Sequence, residues 1–181
     1  KGEVGVARRS LLVPVDDGVE LAADLYLPDA VGSYPTLISF YPYRKDDFIG
    51  ATFAYSNEYL ARHGYASLLV DFRGTGSSSG DRHAAYNTPR EGTDGARVVE
   101  WAAEQEWSDG NVGVWGLSYG GIMSLAVASQ RPPPLKAIAP IHGCADVHRH
   151  FIAPGGCGNC LGTNAWLSLM LGFDLAPPTL T

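Results

Sequence analysis

Long apolar runs are absent. No stretch of about 18 consecutive apolar residues occurs, so nothing in the sequence reads as a membrane-spanning helix. Basic runs are absent too. The 13 Lys and Arg are scattered among 19 Asp and Glu for a net charge of −6, which argues against a nucleic-acid backbone as partner. There is no Gly-Lys-Ser or Gly-Lys-Thr triplet, which excludes a P-loop. Cysteine is scarce: Cys144, Cys157 and Cys160 are the full set, too few and too clustered for a disulfide framework, so a reducing compartment is favoured. The opening "KGEVGVARRS" has neither an initiating Met nor the apolar centre of a signal peptide. The expectation is that the natural start lies elsewhere, which leaves export open.

What is present is enough apolar material for one compact domain, or for one piece of a larger one: 45% of 181 residues. "VELAADLYL" alternates, with Val19, Leu21, Ala23, Leu25 and Leu27 on one face, and predicts a strand with one buried side. "LLVPV" and the turn "DDG" before it make a hairpin. Four continuous apolar runs, "TLISFY" (36–41), "YASLLVD" (65–71), "VGVWG" (112–116) and "LKAIAPI" (135–141), suit strands covered on both faces. Helical stretches separate them: "FAYSNEYLARHG" stopped by Gly64, "GARVVEWAAEQ", and Tyr119 to about Gln130, ended by "RPPP". Strand and helix alternate from 36 to 141. That pattern predicts an α/β fold with a mostly parallel sheet and helices on both faces. Beyond residue 142 it stops, and "NAWLSLMLGF" is the one helix-like stretch left.

Within "VWGLSYGGIM", Ser118 is caged by Gly116 and Gly120. A strand, then Gly-x-Ser-x-Gly, then a helix is the setting of a nucleophile elbow, whose turn is too tight for side chains on its flanks. The Tyr119 N–H then points to where an oxyanion would form. "DFRGTGSSSG" lacks the Gly-x-Gly-x-x-Gly spacing of a dinucleotide loop, and "DRHAAYN" follows it. Asp71 and Arg73 are read instead as ties for the loop after their strand.

The blocks "VPVDDGVELAADLYLP", "YPYRK", "HGYASLLVDFRGTGSSSG", "EGTDGARVVEWAAEQEWSDGNVGVWGLSYGG" and "RPPPLKAIAP" together resemble the CocE/NonD hydrolases. That group holds cocaine-esterase-like enzymes, α-amino-acid ester hydrolases and X-Pro dipeptidyl peptidases. The resemblance implies an α/β-hydrolase domain over 1–142, with the start of a helical cap over 143–181. It makes Ser118 the nucleophile, Tyr119 one oxyanion donor through its amide, and Tyr43 the second through its phenol. For Tyr43, packing against Tyr41 and Pro42 is the other reading. Phe151 and Trp166 fall where the cap walls an acyl group, and plain core packing suits them equally. The resemblance implies a small ester or amide substrate and no cofactor. A zinc site among His142, Cys144, His148, His150, Cys157 and Cys160 is weighed and set aside, as the segment matches entry into a cap that uses no metal.

A serine hydroxyl needs a base, and the base an orienting carboxylate. In this fold both follow the serine. Asp71 and His63 precede it. Asp146 with His148 or His150 sits on a single loop, where both groups could hardly face Ser118. The expectation is therefore the N-terminal part of a longer enzyme, whose C-terminal portion is the partner that completes it. The alternatives to an esterase are an X-Pro dipeptidyl peptidase-type activity and a degenerate, non-catalytic hydrolase serving as an interaction module. Oligomeric state is not readable.

Overall fold

The computed structural model describes residues 5–81 and 89–177. The predicted hairpin forms from β1 (Val6–Pro14) and β2 (Glu20–Pro28), antiparallel and in register from Val6↔Pro28 to Pro14↔Glu20. Between them Asp17 and Gly18 take positive φ. The central strands are β3 (Tyr34–Tyr41), β4 (Ala66–Asp71), β5 (Ser108–Leu117) and β6 (Leu135–Ile141). Sheet order is β1-β2-β4-β3-β5-β6, with β4, β3, β5 and β6 mutually parallel.

Helices α1 (Phe48–Arg62), α2 (Pro89–Ala103) and α3 (Tyr119–Gln130) connect the parallel strands. α1 and the α2/α3 pair cover opposite faces. Ser39 of β3 meets buried Asn57 of α1, whose Oδ1 also accepts the Ser67 hydroxyl at 2.7 Å. The next residue, Phe40, points the other way, to Gly95 of α2 beside Met123 and Val127 of α3. Period-2 alternation along β3 thus sorts the two layers. The consequence for function is topological. β3 sends its connection to one face and its neighbour β5 sends its own to the other, leaving a crevice beyond their carboxyl ends.

Three expectations need correction. β2 was expected to bury one side, yet both are covered: Ala22, Asp24 and Tyr26 are buried as fully as Leu21, Ala23 and Leu25. "SDG" was expected to be a turn ahead of a short strand. Instead it lies within β5 as a bulge: Tyr34 pairs with Ser108 and Thr36 with Val112, and Gly110 takes φ +85 to absorb the extra residues. The apolar run of β6 suited a strand covered on both faces, within a sheet expected to be unfinished and to leave a strand edge exposed; nearly all of β6 is exposed, Ile141 to 44%. Among the described residues no strand pairs with its outer side, so an apolar run alone did not distinguish an interior strand from an edge.

The glycine-rich loop after β4 is tied as read. Arg73 forks onto Asp94 with two bonds of 2.8 Å. Ser78 bridges the Ala22 N–H and the Asp71 carbonyl. The stretch 82–88 that follows, which includes most of "DRHAAYN", lies outside the described residues. After β6 come a short π-helical turn (His148–Ile152) and α4 (Cys160–Leu175), capped by Asn159, whose side chain accepts the Gly162 N–H. No described helix is long and apolar enough to cross a membrane.

Candidate active site

Ser118 sits between β5 and α3 with φ 58 and ψ −113, a conformation side chains rarely take. Its surroundings hold it there. Its N–H donates to the Ile141 carbonyl at 2.9 Å, and its carbonyl accepts the Ile122 N–H at 3.0 Å. Both flanking glycines are required, for different reasons. A β-carbon on Gly116 would fall 2.7 Å from the Gly120 Cα, so the turn itself forbids it. A β-carbon on Gly120 would fall 2.8 Å from the Tyr41 ring. The second glycine makes room for a tyrosine from the neighbouring strand. Gly121 and Gly143 exclude side chains from each other in the same way, which lets the start of α3 lie against the end of β6.

Tyr43, two residues past β3, reaches the same point. Its hydroxyl is hydrogen-bonded to the Ser118 side chain, the Tyr119 backbone and the Trp166 side chain. The indole offers only an N–H, and the Tyr119 backbone contact pulls the phenol downward as a donated N–H does, so the phenol oxygen accepts from both. Burial pushes the phenol upward, opposed by those hydrogen bonds. Its ring stacks with Tyr41 (5.8 Å) and Phe53 (6.0 Å), so the packing reading of Tyr43 also holds. The two readings are compatible: packing aims the hydroxyl. Tyr119 turns its own hydroxyl away, donating to Glu91 at 2.8 Å.

Phe151 lines a cavity of about 570 Å³ with Ser118, Ile122, His142, Cys144 and His150. Trp166 of α4 stacks on Tyr119 at 6.0 Å and meets Phe151 edge-on at 5.8 Å. The histidines of this segment therefore come nearer the serine than their spacing suggested. Asp146, however, is used locally. Its carboxylate accepts the Arg149 N–H at 2.9 Å, and that bond, with nearby Arg149, His150 and His148, holds it below the usual carboxylate range. His63 and Asp71 lie elsewhere: the His63 Nδ1 lies 2.7 Å from the Tyr59 carbonyl, and Asp71 is buried at the end of β4. Cys144, Cys157 and Cys160 are free thiols. Among the described residues no three His, Cys, Asp or Glu are grouped to hold a metal.

The sequence reading missed Tyr41, whose hydroxyl accepts the Leu117 N–H, and the Gly121–Gly143 approach. The doubled glycine after Tyr119 was the available signal for the second. For Tyr41 there was none, because the bond joins residues 76 apart.

Residues 17–178 match the family model described as X-Pro dipeptidyl-peptidase (S15 family). The cocaine esterase of Rhodococcus sp. (strain MB1 Bresler) is 36% identical over 167 residues, covering 89% of this chain and 28% of the esterase. A putative Xaa-Pro dipeptidyl-peptidase of Bacillus anthracis is 33% identical over 122 residues, 57% of this chain and 20% of that protein. Among solved structures, a CocE/NonD family hydrolase from Staphylococcus aureus superposes with a TM-score of 0.81 at 25% identity, covering 98% of this chain and 37% of that one. The chain thus spans less than a third of the length of these curated relatives.

Proposed function

The chain belongs to the S15 family of hydrolases, and from that premise we propose that it carries the nucleophile and oxyanion hole of a serine acyl hydrolase. The observation that supports this most is the meeting of three groups at one point: the Ser118 side chain, the Tyr43 hydroxyl and the Tyr119 N–H. Ser118 Oγ attacks an ester or amide carbonyl and passes its proton to a general base. The carbonyl oxygen, now carrying the negative charge, takes the place that the Tyr119 N–H and the Tyr43 O–H both address. Collapse expels the alcohol or amine, protonated by that base, and leaves an acyl group on Ser118. Water, deprotonated by the same base, then releases the acid.

The base and its carboxylate belong, in this reading, to a part of the enzyme outside these residues, because Asp146 is committed to its own turn. Residues 143–181 begin the cap, and Phe151 and Trp166 form the acyl wall beside the nucleophile. Ester substrates are favoured over X-Pro peptides, since the esterase relative matches over more of the chain and at higher identity.

Fluorophosphonate labelling of the intact protein, followed by peptide mapping, tests the reading. The adduct is expected on Ser118 and absent in Ser118→Ala. An adduct on Ser77 or Ser124 would sink it.

A further inference from the structure

Asp71 is a buried carboxyl group that the mechanism above leaves without a task. It ends β4, paired across the sheet with Tyr41 at the end of β3, and is 1% exposed. Its Oδ1 accepts the Lys45 N–H at 2.7 Å, and the Ser77 backbone also bonds the carboxyl. Its Oδ2 has no hydrogen-bond partner among the described residues and lies so close to Gly76 that a β-carbon there would collide with it. The carboxyl therefore joins two segments: the turn after β3 and the loop after β4.

The turn is the one that carries Tyr43. Between Tyr41, held in the sheet, and Lys45, held by Asp71, lie only Pro42, Tyr43 and Arg44. Arg44 takes φ +63, which a non-glycine residue sustains only where neighbouring structure enforces it. Removing the acceptor would leave the Lys45 N–H a buried donor without a partner, a penalty large enough to let such a turn relax. Relaxation would move the phenol away from Ser118, and a shift of about 1 Å at a reacting centre costs on the order of 10²-fold in rate.

We propose that Asp71 is a positioning residue: its carboxyl fixes the Lys45 amide and, through the turn 43–45, holds the Tyr43 hydroxyl at Ser118. The inference rests on the oxyanion role of Tyr43, and the test separates the two. In the intact enzyme, at about pH 8, kcat and KM are measured for Asp71→Ala and Asp71→Asn, each alone and combined with Tyr43→Phe. Asp71→Ala is expected to lower kcat about 10–100-fold with KM within threefold. Asp71→Asn keeps an acceptor for Lys45 and is expected to recover kcat to within about threefold of wild type. With Tyr43→Phe present, neither change should lower kcat further by more than about twofold. An equal loss in both backgrounds, or Asp71→Asn as impaired as Asp71→Ala, overturns the proposal. Tyr43→Phe alone within threefold of wild type sinks the oxyanion role instead, before any Asp71 variant is compared. Should Asp71→Ala fail to fold, Gly76→Ala presses on the same carboxyl without removing it. It is expected to lower kcat only when Tyr43 is intact, and unchanged kcat there overturns the proposal.

Discussion

The Tyr41 hydroxyl accepts the Leu117 N–H at 3.0 Å, tying the end of β3 to the residue just before Ser118. The same ring is what a side chain at position 120 would strike. One tyrosine thus supports the elbow from beneath while defining how small its far flank must be. Burial pushes its phenol up to about 12, so it is neutral at any working pH and acts as a fixed hydrogen-bonding group.

Tyr41→Phe should leave the Leu117 N–H unpaired and lower stability by about 1–3 kcal/mol. Equilibrium urea unfolding of the intact protein measures this. A variant as stable as wild type would mean that water replaces the phenol without loss.

Tyr43→Phe removes one donor and keeps the packed ring. We expect kcat to fall about 10²–10³-fold with KM little changed. Steady-state kinetics on an activated ester, where acylation limits the rate, is the measurement. A change under threefold would reduce Tyr43 to packing.

Burial raises the Asp71 carboxyl to about 7, against the Lys45 and Ser77 amides and the Lys45 ammonium, which pull it down, and with Asp46 adding to the rise. The folded chain therefore keeps a proton that the unfolded chain releases near the ordinary carboxylate value. Stability contributed by this group is full below about pH 4, declines as pH rises to about 7, and is flat above. Asp71→Asn cannot ionise. It should match wild type near pH 4 and exceed it at pH 8 by up to a few kcal/mol. A stability difference that is the same at both pH values would contradict this.

Arg44 is buried beside Tyr43 and reaches α4. Its guanidinium donates to the Phe173 carbonyl at 3.3 Å and to that of Pro177, and pairs with Asp47 at 3.1 Å. A cation at a helix carboxyl end is favoured by the helix dipole as well as by these bonds. Arg44→Met keeps the apolar stem and loses the donors. We expect limited proteolysis within 160–177 to speed up about tenfold, while cleavage elsewhere is unchanged. Equal rates would show that α4 is held by its aromatic contacts alone.

The sequence carried the parts of this structure that depend on local pattern. The hairpin was legible in the alternation of "VELAADLYL", and the elbow in two glycines flanking a serine between a strand and a helix. The placement of Tyr43 beside Ser118 was legible through the family resemblance, and in physical terms through order, as a residue after β3 facing one after β5. What could not be read depends on contacts between distant segments. Ile138 and Ile141 look the same in sequence whether or not another strand lies beside them. The clamp from Asp71 to Lys45 spans 26 residues, and neither residue type announces it. His150 reached the Ser118 cavity because a π-helical turn compacts 148–152, which no spacing rule anticipates.

The left-handed backbone at Ser118 has a consequence for how such a protein responds to selection. Glycine is the residue that accepts φ 58 most easily, and strain of this kind amounts to about 1–3 kcal/mol. A library screened for thermal tolerance alone would therefore enrich glycine at 118 and discard the hydroxyl. With Ser118 as the proposed nucleophile, a directed-evolution campaign on this scaffold would have to score turnover in every round, because heat resistance and the proposed chemistry pull this position in opposite directions.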